Sequence, residues 1–157
     1  MATLEEKVAV FLSQKKIAVA GVSRTKQDAA NLVYKKLKEA GYQVFAVNPN
    51  AQTFGDDPCY PDLKSIPGGV DGVVIVTRPA LTEDIARQCA EAGVTRVWMH
   101  QSMMKSVTSV SRDAVKFCDE RGISVIDGAC PMMFCQPVDF GHKCMRWMLR
   151  LTGGLPR

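Results

Sequence analysis

The run Lys16-Ile17-Ala18-Val19-Ala20 leads straight into Gly21-Val22-Ser23-Arg24-Thr25, and this junction constrains the fold more than any other part of the chain. A short apolar run that ends in a glycine-bearing basic turn, with a helical pattern after it, reads as a buried parallel strand delivering the chain to a helix. The glycine lets the backbone approach an anion with no Cβ in the way. The amides entering the helix are then expected to donate to phosphate oxygens. A phosphate-bearing ligand is one expectation, and a plain tight turn at Gly21 is the other.

The remaining periodicities repeat the pattern. Leu4, Val8, Phe11 and Leu12 fall on one face of a helix over 3–14. A second strand spans 43–47, and between it and the first lie Ala30, Leu32, Val33, Leu37 and Ala40, with Gly41 placed to end that helix. Gly72-Val73-Val74-Ile75-Val76 is apolar on both faces, as a central strand covered by helices must be. Pro79 then suits a helix start, Glu83 and Asp84 are expected at its positive end, and Gly93 closes it. A strand over 96–99, a helix containing Val110, Ala114, Val115 and Cys118 and ended by Gly122, and a strand over 123–126 follow. In the closing segment 139–151, Met145, Trp147, Met148 and Leu149 are expected to be buried together.

Strands alternating with helices define an α/β fold: one Rossmann-like, doubly wound domain over 1–157 with about five parallel strands, in the order 3-2-1-4-5. Ligands of such sheets bind beyond the carboxyl ends of the strands. Those ends are 21–25, Asn48-Pro49-Asn50, Thr77-Arg78-Pro79, His100-Gln101-Ser102-Met103 and 127–133.

The excess of 20 Lys and Arg over 16 Asp and Glu suits an anionic ligand, but no concentrated basic face or interleaved aromatic pattern points to nucleic acid. The charged N-terminus has no apolar leader, and no run is long enough for a membrane span, so a cytoplasmic location is expected. Cys59, Cys89, Cys118, Cys130, Cys135 and Cys144 are scattered through a chain able to form a core without staples, which favours reduced thiols.

The choice of nucleotide follows from two departures. A dinucleotide fingerprint needs Gly-x-Gly-x-x-Gly and an acid after the second strand. This chain has Gly21-Val22-Ser23-Arg24-Thr25-Lys26 and Asn48-Pro49, which count against NAD and favour a ligand with additional phosphate. No Gly-Lys-Ser/Thr follows the first strand, so a P-loop NTPase is not expected.

Gly21-Val22-Ser23, Val47-Asn48-Pro49-Asn50, Cys59-Tyr60-Pro61-Asp62-Leu63, Val76-Thr77-Arg78-Pro79, Val97-Trp98-Met99-His100-Gln101 and Gly128-Ala129-Cys130-Pro131 occur in this order. Together they resemble the small single-domain CoA-binding proteins, which are similar to the CoA-binding domain of the succinyl-CoA synthetase α subunit. The resemblance covers roughly 10–135. It implies coenzyme A, or an acyl-CoA, as the ligand. It places Gly21, Val22, Ser23, Arg24 and Thr25 on the phosphate loop and Val47, Asn48 and Pro49 against the adenosine. Thr77, Arg78 and Pro79 would follow the diphosphate and pantetheine, with Gln101, Cys130 and Pro131 toward the thiol. A counterpart of the synthetase's phosphohistidine domain is not expected, so ligase activity is not carried over. Binding without intrinsic catalysis is the first expectation. The alternatives are an acyl-CoA or thiol–disulfide enzyme using Cys130 or His100, and a CoA-regulated protein-interaction module. A homodimer and an unidentified protein partner stay open.

Some residues have a second interpretation. Cys130, Cys135, His142 and Cys144 are four soft ligands within fifteen residues, but they lack zinc-site spacing, and buried cysteines acting as small hydrophobes are commoner. Cys130 is also a candidate for a mixed disulfide with CoA if a helix N-terminus stabilises its thiolate. His100 has no partner at catalytic spacing and is expected to be packed or ligand-facing and neutral. Met103, Met104, Met132, Met133 and Phe134 either line a pantetheine slot or fill the core.

Overall fold

Successive residues of the first strand, β1 (Lys16–Ala20), belong to opposite layers of the molecule: Ile17 and Val19 join one buried cluster, Ala18 and Ala20 the other. That is the period-2 pleat of a strand buried on both faces, and it dictates helices above and below. The computed structural model describes residues 2–25, 28–104 and 106–157. On the first face, α1 (Leu4–Leu12) and α2 (Ala29–Glu39) pack with Val74, Trp98 and Ile126. On the second, α3 (Pro79–Glu91) and α4 (Arg112–Glu120) pack through Ala86, Cys89, Ala114 and Cys118.

The sheet contains β1, β2 (Gln43–Val47), β3 (Thr53–Phe54), β4 (Asp57–Tyr60), β5 (Gly72–Ile75), β6 (Arg96–Met99) and β7 (Ser124–Asp127), in the order β3-β4-β2-β1-β5-β6-β7. All pairs are parallel except β3 with β4. The expected fold class is therefore observed. Its strand assignment changes, because the strand at 72–75 lies beside β1, and the place outside β2 belongs to β4. The missed pair is a hairpin whose two-residue loop, Gly55-Asp56, has Gly55 at φ 60°; a glycine at the first loop position is a hairpin signal. Tyr34 anchors it from α2: its hydroxyl donates to Asp57 Oδ2 at 2.8 Å, and its ring meets Phe54 edge-on at 4.9 Å.

Helix ends follow the expected chemistry with two exceptions. Pro79 opens α3, and Gly41, Gly93 and Gly122 each follow a C-cap with positive φ. The first turn of α3, however, contains no acid. Glu83 lies one turn further in and accepts from Ser111 Oγ at 3.0 Å, while Asp84 accepts from Gln88 Nε2 at 3.0 Å. The second exception is α5 (Phe140–Thr152), none of whose residues is fully buried. Met145 and Leu149, four apart on one stripe, pack on the core, whereas Trp147 and Met148 lie around the helix and are 63% and 47% exposed. A helix laid on one side of a core buries one stripe only, which corrects the expectation that all four are buried together.

Candidate functional site

The carboxyl ends of β2, β1, β5 and β6 lie side by side, so their trailing loops form one edge of the molecule. Gly21 turns the chain at φ 109°, and its N–H donates to Val47 O at 3.1 Å. A Cβ there would overlap the Val76 carbonyl, so the first and third expected loops are in backbone contact. Asn48 ties the second loop to the first, donating from Nδ2 to Val22 O at 2.7 Å and accepting Asn50 N–H at Oδ1, 2.8 Å. Its amide is thus a structural clasp. Asn31 of α2 grips Ser23 in the same way, accepting its N–H at 2.9 Å and donating to its carbonyl at 2.8 Å. Thr25 N–H donates to Ser23 Oγ at 3.3 Å, and the exposed Arg24 reaches Asn50 O at 3.4 Å. Lys26 lies outside the described residues.

One expectation about this loop is overturned. The first amides of α2 are occupied by the protein's own N-cap: Asp28 Oδ1 accepts from Ala30 N at 3.1 Å and Asn31 N at 3.4 Å. A carboxylate at this position competes with phosphate for the same donors. The open helix start is that of α3, whose N-cap Arg78 makes no side-chain capping bond and whose first turn carries no acid. Arg78 is exposed at that positive end, and Thr77 beside it is fixed by Ser109 Oγ, which accepts its N–H at 2.9 Å. Positive charge from Arg78 and the helix dipole therefore act together.

Three clefts open along this edge. The first, about 740 Å³, lies between Ser23–Thr25 and the β3–β4 hairpin and has Lys35 and Lys38 on its wall. The second, about 300 Å³, is bounded by Gly21, Val47, Asn48, Pro49 and Thr77. The third, about 340 Å³, contains Thr77, Arg78, Pro79, His100, Thr108 and Ser109. Sequence reasoning missed Lys35 and Lys38; their signal was two lysines three residues apart in the second and third turns of the helix after the phosphate loop.

The structure does not bring the last three expected residues to these clefts. Gln101 accepts Thr108 Oγ1–H at 3.1 Å and its N–H donates to Ala129 O at 3.0 Å, which builds the loop after β6. Cys130 and Pro131 are buried, Pro131 opening a 3₁₀ turn over Pro131–Met133. Burial pushes the Cys130 thiol up to about 11, so the turn does not supply the stabilised thiolate that a mixed disulfide requires.

All six cysteines are free, and among the described residues no three metal-binding side chains gather; His142 instead pairs with Asp139 at 2.6 Å, and Cys144 is exposed. Met133 is buried in the core, while Met103 and Met104 are exposed. No helix among the described residues is long and apolar enough to cross a membrane.

Residues 15–136 match the family model described as a CoA binding domain. Over 82 residues, or 51% of its length, the chain is 32% identical to an ADP-forming acetate–CoA ligase II from Archaeoglobus fulgidus, of which it spans only 12%. It is 28% identical to the uncharacterized protein YneT of Bacillus subtilis, covering 77% of this chain and 85% of that one. Among solved structures it resembles a hypothetical protein from Pyrococcus horikoshii, with a TM-score of 0.75, 31% identity, and coverage of 83% of this chain and 88% of that one.

Proposed function

This chain belongs to the CoA binding domain family, and on that premise we propose that it binds coenzyme A, free or as an acyl-CoA, across the carboxyl ends of β2, β1, β5 and β6, without a reaction of its own. The observation that carries the proposal is the row of three clefts along one edge: the second and third meet at Thr77, Arg24 of the first reaches Asn50 of the second, and Arg24, Lys35, Lys38 and Arg78 lie along the way. The adenosine occupies the cleft at Val47, Asn48 and Pro49. The diphosphate crosses the Gly21–Thr77 contact toward Arg78 and the open start of α3. The 3′-phosphate lies toward Arg24 and the lysines, and the pantetheine follows Thr77, Arg78 and Pro79.

Arg24, Lys35 and Arg78, with a bare helix start, match a ligand with a diphosphate and a third phosphate, and Lys38 stands beside them paired with Asp57. No carboxylate follows β2 to take the ribose diol of NAD. Calorimetric titration tests the reading. CoA is expected to bind tighter than dephospho-CoA, and both tighter than NAD or ATP. Equal binding of CoA and dephospho-CoA removes the assigned role of the 3′-phosphate, and no binding of CoA overturns the proposal.

A further inference from the structure

The face of α5 turned away from the core carries a second apolar stripe. On the inner side Met145 and Leu149 pack on the core, and Arg146 Nη1 donates to Met133 O at 3.1 Å. On the outer side Phe140, Trp147, Met148 and Leu151 are 83%, 63%, 47% and 69% exposed, and Cys144 is exposed among them. At about 100° per residue these five fall within one arc of roughly 100°, opposite the inner stripe. Packing on its own core requires only the inner stripe, so the fold leaves the outer one without a partner.

Area and spacing identify what covers it. An aromatic side chain offers ~150–250 Å², so the exposed fractions of the four large residues come to about 500 Å² per copy. Two such stripes face to face remove about 1,000 Å² from water, the least that a specific interface needs. Phe140, Cys144, Trp147 and Leu151 are spaced by four, three and four residues, the seam of a two-helix coiled coil. Run against a second copy in the opposite direction, the seam matches itself. Phe140 meets Leu151 of the second copy and Cys144 meets its Trp147, so every layer joins a larger side chain to a smaller one. A parallel pair would stack Trp147 on Trp147 and Cys144 on Cys144, one layer overfilled and the other underfilled. The antiparallel pair carries one electrostatic cost: Lys143 lies beside Arg150 of the second copy on the flank of the seam. Arg150 is already paired with Glu5 Oε1 of its own chain at 3.3 Å, which moderates that repulsion.

We propose that the chain forms a two-fold homodimer by antiparallel pairing of α5 with α5 of a second copy. The inference does not depend on the coenzyme reading. Sedimentation equilibrium of the full chain tests it. The average mass is expected to rise from one chain toward two between about 5 and 500 µM, since the area suits a weak dimer. Trp147→Glu puts a charge into the central layers and is expected to weaken association at least ~tenfold. Lys143→Glu turns the flanking repulsion into attraction at two symmetric places and is expected to strengthen it about threefold or more. Leu32→Glu, at an exposed apolar position on α2, is expected to leave it unchanged. The mass of one chain at every concentration overturns the proposal, as does a dimer that survives Trp147→Glu or is broken equally by Leu32→Glu. Lys143→Glu without a gain overturns the antiparallel register. A monomer that sediments with vesicles of phosphatidylserine and phosphatidylcholine overturns the dimer in favour of a membrane surface.

Discussion

Gly21 and Val76 are in contact through backbone alone: a Cβ built on Gly21 overlaps the Val76 carbonyl oxygen, and Gly21 holds φ at 109°. The turn after β1 can therefore lie against the end of β5 only because residue 21 has no side chain. Gly21→Ala combines a backbone clash with a strained dihedral. It is expected to cost at least ~3 kcal/mol in urea unfolding. A cost under ~1 kcal/mol would show that the two loops separate freely.

Trp98 is fully buried, and its indole N–H is shared by two carbonyls of the turn after β7, Gly128 O at 2.9 Å and Ala129 O at 3.3 Å. That turn holds Ala129 at φ 60°, unusual for a residue with a side chain. Trp98→Phe keeps an aromatic ring but removes the donor. The expected loss is ~1–3 kcal/mol of stability by chemical denaturation; a loss below ~0.5 kcal/mol would contradict the bracing role.

Burial of His100 makes stability depend on acid. The folded pKa of about 4 lies below the unfolded value near 6.5, so the unfolded chain binds more protons between them. Stability from this group is complete above pH ~6.5 and falls by ~1.4 kcal/mol per unit down to pH ~4. His100→Gln is expected to flatten that slope by about one proton in a pH series of denaturation curves. An unchanged slope would mean that the ring is protonated in the folded protein.

On α5, Trp147 is largely in solvent while Leu149 packs on the core. Trp147→Ala is expected to change stability by less than ~0.5 kcal/mol, and Leu149→Ala to cost ~1 kcal/mol or more. The reverse ranking would place Trp147 inside.

The central strands were legible because residues such as Val73, Val74 and Ile75 are apolar on both faces, a pattern only a covered parallel strand needs. The β3–β4 hairpin was not, because two- and four-residue strands give no periodicity and Pro58 argues against a strand. Its glycine turn was the available cue. At the site, Gly21, Asn48, Thr77 and Arg78 were visible as strand ends, while the way Asp28 occupies the α2 amides depends on the local path of the loop. Met145, Trp147, Met148 and Leu149 differ in exposure because of helix orientation, and composition does not encode that.

The most direct test of coenzyme binding at the strand ends is a map of backbone amide chemical shifts as CoA is added. Large shifts are expected at Gly21, Ser23, Asn48, Thr77, Arg78 and His100, with little change at the opposite strand ends, Lys16, Gly72, Arg96 and Ser124. Shifts concentrated at those opposite ends, or none at saturating CoA, would contradict the account.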